Sequence, residues 1–129
     1  MMQQNFPETV MKRLMKHYGD QKETMLHFSN PTELVVATML SPQCTDKQVN
    51  KVTKELFKKY RKFADYAKAD IKMLNRDLGG INFYKTKARH VKESASRLVK
   101  NFHGKVPHTI KELMTLPGVG RKVANVVLT

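Results

Sequence analysis

The chain has 129 residues, 40% hydrophobic and 27% charged, with an ordinary six glycines and five prolines and no run near the ~18 apolar residues of a membrane span, which excludes a disordered, collagenous or transmembrane chain. A polar start followed by Lys12, Arg13 and Lys16 is unlike an export signal, and the single Cys44 makes neither an internal disulfide nor a thiolate metal site, so the chain reads as intracellular. Twenty-four Lys and Arg against 11 Asp and Glu give a net charge of +13, which favours a polyanionic partner over a neutral one.

The spacing of apolar residues predicts helices throughout. Pro7 suits a first helical turn, and Val10, Met11, Leu14, Met15 and Tyr18 follow at three- and four-residue intervals until Gly19. Residues 20–29 read as a loop. Asn30 is placed to cap, with Pro31 in the first turn and Glu33 three residues beyond the cap. The run Leu34 to Leu40 is then apolar on nearly all sides, a buried helix or, given Val35 and Val36, a strand. Thr45 and Gln48 have capping-box spacing, each side chain reaching the other's amide, ahead of a stripe of Val49, Val52, Leu56 and Phe57. Asp70 caps a short helix through Ile71, Met73, Leu74 and Leu78 that stops at Gly79, leaving Gly80 to Phe83 as a loop.

The clearest periodicity comes next, with Tyr84, Ala88, Val91, Ala95, Leu98 and Phe102 on one helical face closed by Gly104. Thr109 and Glu112 form another capping box, opening a short helix with Ile110, Leu113 and Met114. No segment alternates as a strand, so the expected fold is all-α. The histidines His17, His27, His90, His103 and His108 have no metal-binding spacing and read as surface residues. The charge surplus is localised: residues 1–50 hold five basic and five acidic residues, so 19 Lys and Arg against six Asp and Glu lie in residues 51–129.

The segment Leu116-Pro117-Gly118-Val119-Gly120-Arg121-Lys122 sits between the capped helix and the apolar run from Val123 to Leu128, so it reads as a tight hairpin joining two helices. Gly118 and Gly120 let the backbone turn sharply and approach a ligand, and amides at a helix start suit a phosphate. Without a ligand, the same segment would be a glycine-rich turn between helices.

Leu116 through Leu128 resembles the helix-hairpin-helix of endonuclease III, a family of DNA glycosylase/AP lyases of base-excision repair. Asn30-Pro31-Thr32-Glu33-Leu34 and Leu40-Ser41-Pro42-Gln43-Cys44-Thr45-Asp46 resemble that family's buried helix and following loop, and Phe83-Tyr84-Lys85-Thr86-Lys87-Ala88 resembles a further family segment. The resemblance spans about residues 6–129. It implies a helical bundle or barrel of the DNA-glycosylase type, incomplete at the C-terminus, with residues 1–29 as an N-terminal helix and loop, and 30–129 as a glycosylase domain whose hairpin motif occupies about 109–129.

The resemblance places the catalytic lysine on Lys122. A lysine attacks through its neutral amine, a form favoured by a neighbouring cation, a helix N-terminus and partial burial, and Arg121 and the hairpin supply the first two. The implied reaction is attack on sugar C1′, loss of an oxidised pyrimidine, a Schiff base, and β-elimination of the 3′ phosphate. Gln43 and Phe83 match positions that intrude into the duplex when a base is extruded; a loop hydrogen-bonding residue and a core aromatic are the alternatives. Gly118, Val119, Gly120 and Arg121 match the DNA-binding hairpin, and the carbonyls of Met114, Leu116 and Val119 match a monovalent-cation site. Double-stranded DNA with a damaged base or abasic site is the implied partner, with no membrane.

The family's catalytic aspartate and the four cysteines of its [4Fe-4S] cluster lie beyond the hairpin, and neither Asp46 nor Cys44 stands in for them. The expectation is therefore a fragment of a longer enzyme, without a cofactor in this chain, impaired as a lyase and prone to self-association. A non-catalytic helix-hairpin-helix DNA-binding module is the alternative reading.

Overall fold

The structure, a computed structural model, describes residues 25–128. The helix read over Pro7 to Gly19, with Val10, Met11, Leu14, Met15, His17 and Tyr18, and the terminal Thr129 lie outside the described residues. Every regular element among the described residues is helical.

Helix α1 spans Pro31–Leu40. Its start follows the sequence: Asn30 Oδ1 accepts the Glu33 N–H at 2.9 Å, and the Glu33 carboxylate reaches back to the Ser29 N–H at 2.8 Å. That cap and Pro31 decide for a helix where Val35 and Val36 left a strand open. Leu34 to Leu40 are all buried, which places α1 inside the core. Buried Thr38 satisfies its hydroxyl by donating to the Leu34 carbonyl one turn back.

Helix α2 spans Asp46–Lys59, with Val49, Thr53 and Leu56 buried. Thr45 Oγ1 accepts the Gln48 N–H at 3.1 Å as the capping box requires, but the box does not close. Gln48 Nε2 instead donates to the Gly80 carbonyl at 2.6 Å, tethering a distant loop. Helix α3, Phe63–Lys68, has no counterpart in the sequence reading. Six residues offer too few turns for a periodic signal, and its two buried anchors are Phe63 and Tyr66. Asp65 accepts the Arg61 and Lys62 N–H groups at 2.8 and 3.0 Å and so starts the helix.

Helix α4, Ile71–Asp77, is capped by Asp70, whose carboxylate accepts the Lys72 N–H at 2.8 Å. Leu74 and Leu78 are buried as expected, whereas Ile71 and Met73 are exposed, because so short a helix turns only one narrow face to the core. Helix α5, Tyr84–Phe102, buries Ala88, Val91, Ala95 and Leu98 and half-buries Tyr84 and Phe102. Of the described pairs, α3 and α5 make the most extensive contact, and Lys92 Nζ seals it by donating to the Ala67 and Ala69 carbonyls, each at 2.7 Å. Helix α6 is the single turn Ile110–Leu113. Here Thr109 Oγ1 accepts the Glu112 N–H at 3.1 Å and its hydroxyl donates to the Glu112 carboxylate at 2.9 Å, so the box closes through side chains. Met114 falls outside this helix and is exposed. Helix α7, Arg121–Leu128, buries Ala124 and Val127 and packs on α1 and α6.

One polar knot ties α2 to α4. The Tyr60 hydroxyl donates to Asp77 Oδ2 at 2.7 Å, and Lys59 Nζ donates to the same oxygen at 3.0 Å. Burial pushes the Asp77 carboxyl up, but the Tyr60 hydrogen bond and Lys59 outweigh it and hold Asp77 below its ordinary value of 3.8. A depressed carboxyl contributes stability above its unfolded value and loses it as pH falls through the folded one. Urea unfolding of Asp77→Asn should therefore show a smaller loss of stability than the parent between pH 5 and 3, at the cost of lower stability at pH 7.

Candidate nucleic-acid interface

The hairpin between α6 and α7 is built around two buried anchors. Leu116 and Val119 are 2% and 5% exposed and pack into the core, and the Val119 N–H donates to the Leu116 carbonyl at 3.1 Å. Pro117 and Gly118 occupy the centre of this turn, with Gly118 at φ +80°, the geometry of a type II turn. A Cβ on Gly118 would lie 2.8 Å from both Cβ and Nδ1 of His90, so conformation and space both demand glycine. A Cβ on Gly120 would meet nothing within 4 Å; its missing side chain bares backbone to solvent.

Beneath the hairpin, α5 presents His90, Ser94 and Arg97 at spacings of four and three residues, one face of the helix. Ser94 Oγ donates to the Pro117 carbonyl at 2.7 Å, and Arg97 Nη1 donates to the Thr115 carbonyl at 2.7 Å. His90 is half-buried against Gly118, which corrects its reading as a surface residue. The sequence reading missed this seat. Its signal was a polar stripe running beside the apolar stripe of α5.

The amides of Gly118, Gly120, Arg121 and Lys122 have no partner among the described residues, and neither do the carbonyls of Met114 and Val119. Arg121 and Lys122 open α7 with exposed side chains, so partial burial plays no part in the environment of the Lys122 amine. Val119 is buried, which leaves only its backbone to face a ligand.

A second cluster lies around the start of α5. Gln43 and Phe83 are both exposed, Phe83 by 63%, and both adopt φ of +59°. Non-glycine residues in this left-handed region cost on the order of 1–3 kcal/mol and persist only when their surroundings hold them. Here the holding groups are explicit. Asn82 Nδ2 donates to the Gln43 carbonyl at 2.6 Å, and the Asn82 N–H donates to Cys44 Sγ at 3.3 Å. Lys87 Nζ donates to the Leu40 and Pro42 carbonyls at 2.9 and 2.5 Å, and Gln48 binds the Gly80 carbonyl. Loops 41–45 and 79–83 are thus laced together with two strained tips exposed. Asp46, at the start of α2, has its carboxyl pushed up by burial.

Cys44, the chain's one cysteine, is engaged in that lacing, and no group of three or more His, Cys, Asp or Glu among the described residues is arranged to hold a metal ion. These residues do not fit an iron–sulfur cluster. Among the described residues no helix is long and apolar enough to cross a membrane.

Two helices joined by a glycine turn with unpartnered amides, seated on a longer helix, define a helix-hairpin-helix element. A family model described as HhH-GPD superfamily base excision DNA repair protein matches residues 36–127, and the chain belongs to this family. It is 46% identical over 107 residues to endonuclease III of Bacillus subtilis (strain 168), an alignment covering 83% of this chain and 49% of the relative. With endonuclease III of Escherichia coli (strain K12) it shares 38% over 119 residues, 92% of this chain and 56% of the relative. The chain spans about half the length of the curated relatives it matches. A solved structure of a trapped endonuclease III–DNA covalent intermediate superposes with a TM-score of 0.79 at 40% identity, covering 95% of this chain and 59% of that one. A thermostable thymine-DNA glycosylase shares the fold, with a TM-score of 0.76 at 24% identity over 93% of this chain and 57% of that one.

The two hairpin glycines should separate in chemical denaturation. Gly118→Ala should cost about 1–3 kcal/mol through strain and the His90 contact, whereas Gly120→Ala should lie within about 1 kcal/mol of the parent.

Proposed function

We infer that the protein acts in base-excision repair on double-stranded DNA carrying a damaged base or an abasic site, as a DNA glycosylase with AP lyase activity on oxidised pyrimidines, and that Lys122 is its nucleophile. One observation carries this reading: an exposed lysine in the first turn of α7, directly beyond the amides of Gly118 and Gly120, which have no partner among the described residues. A phosphate on those amides brings the neighbouring sugar to the amine.

Lys122 Nζ attacks C1′ of the sugar while the N-glycosidic bond breaks, the base leaving with the bonding electrons and taking a proton. Ring opening gives an iminium, loss of a C2′ proton expels the 3′ phosphate, and water releases the lysine. Gln43 and Phe83 suit the space left by an extruded base, because both are exposed on laced loops beside the start of α5. Gly118, Gly120 and Arg121, with the backbone of Val119, address the strand, and the surplus cations of residues 51–129 supply the long-range attraction. The carbonyls of Met114, Leu116 and Val119 would hold a monovalent cation, which adds positive charge beside the phosphate when bound. No carboxylate pairs with Lys122 among the described residues, so these residues assign no acceptor for the C2′ proton. An intracellular setting follows from a DNA substrate.

Borohydride reduction of the protein with abasic-site DNA should yield a covalent adduct, absent from Lys122→Ala, which should still bind the duplex. Equal trapping in Lys122→Ala would place the nucleophile elsewhere. Binding without any trapping would favour a non-catalytic DNA-binding module.

A further inference from the structure

Ser94 is a buried polar side chain, 2% exposed, on the face of α5 that carries the hairpin. A buried helical hydroxyl commonly turns back to its own helix, as Thr38 does to Leu34. Ser94 instead donates outward to the Pro117 carbonyl at 2.7 Å. That carbonyl and the Gly118 N–H belong to one planar trans peptide and point in opposite directions. Drawing the carbonyl down onto α5 therefore aims the Gly118 N–H away from α5. Consistent with this, the Gly118 amide has no partner among the described residues and the residue is exposed.

The alternative orientation is within reach of the chain. Type I and type II turns differ by a flip of the central peptide, proline suits the second position of both, and glycine tolerates both conformations at the third. Pro117-Gly118 itself leans toward type II, and a hydrogen bond to the central peptide adds a second hold on that orientation. The Leu116–Val119 bond that closes the turn is common to both, so it does not choose either. Arg97 holds the Thr115 carbonyl, but the amide of that peptide, Leu116 N–H, is already bound to the Leu113 carbonyl. The Ser94 hydroxyl is the contact that bears on the Pro117–Gly118 peptide itself.

We propose that Ser94 is a positioning residue for DNA binding: its hydroxyl locks the Pro117–Gly118 peptide in the orientation that lets the Gly118 N–H donate to a DNA phosphate oxygen. This rests on the hairpin's reading as a phosphate-binding element. Ser94 itself touches no DNA, and its effect passes entirely through one peptide group.

The test is a coupling measurement on duplexes containing a tetrahydrofuran abasic analogue, with single methylphosphonates neutralising one phosphate at a time. The parent protein should lose about tenfold in affinity at one phosphate, the worth of a charge-assisted hydrogen bond. Ser94→Ala should bind the unmodified duplex about tenfold more weakly, and that same methylphosphonate should then cost it less than about twofold. A purely structural role for Ser94 would lower the melting temperature without removing this coupling. If Ser94→Ala fails to fold, Ser94→Cys, with a weak donor of similar size, goes through the same cycle. Full methylphosphonate sensitivity in the folded variant overturns the proposal. A parent that binds the duplex with no sensitive phosphate overturns it as well, and a parent that does not bind at all overturns the underlying DNA-binding function.

Discussion

The hairpin rests on α5 so closely that a single methyl group does not fit between them. A Cβ on Gly118 would meet His90 at 2.8 Å, and two side chains of the same helix face hold the carbonyls of Thr115 and Pro117 just before it. The hairpin's shape is therefore a property of α5 as much as of its own sequence. Leu116 and Val119 fix its depth, and Ser94 and Arg97 fix the direction of its peptides. What remains outward is a row of amides with no partner among the described residues, followed by two exposed cations, Arg121 and Lys122. An anion at that row meets backbone dipoles and side-chain charge together.

The same helix organises the second cluster. Phe83 immediately precedes α5, and Lys87, one turn in, holds the loop that presents Gln43. From Phe83 to His90 is seven residues, about 10 Å of helix rise, so the strained tips and the hairpin share one rigid scaffold. Two left-handed non-glycine residues at exposed, cross-tied positions represent strain maintained by Asn82, Lys87 and Gln48. Strain so distributed holds two exposed side chains in one fixed presentation.

Much of this was legible in the sequence. The apolar stripe of α5 and the caps at Asn30, Thr45, Asp70 and Thr109 appear where their residue types and spacing demand. What escaped was non-local. Gln48 leaves its own capping box for Gly80, a partner 32 residues away, and Ser94 reaches Pro117 across 23 residues. No local pattern announces either. Helix α3 is too short to show a period, and His90 looked like surface because its neighbour is a glycine from another element. The proposal of Lys122 as nucleophile rests on the resemblance of the whole hairpin; from composition alone it is one of 24 basic residues.

The charge of the chain would support binding to almost any polyanion, whereas the hairpin and the laced loops predict a defined footprint. Amide chemical shifts followed by ¹⁵N NMR during titration with an abasic-analogue duplex distinguish the two. The largest changes should fall on Gly118, Gly120, Arg121 and Lys122 and on Gln43 and Phe83, with the lysines along α2 little affected. Changes of equal size along the Lys47, Lys51, Lys54 and Lys58 face of α2, with the hairpin amides unmoved, would contradict the placement of DNA on the hairpin.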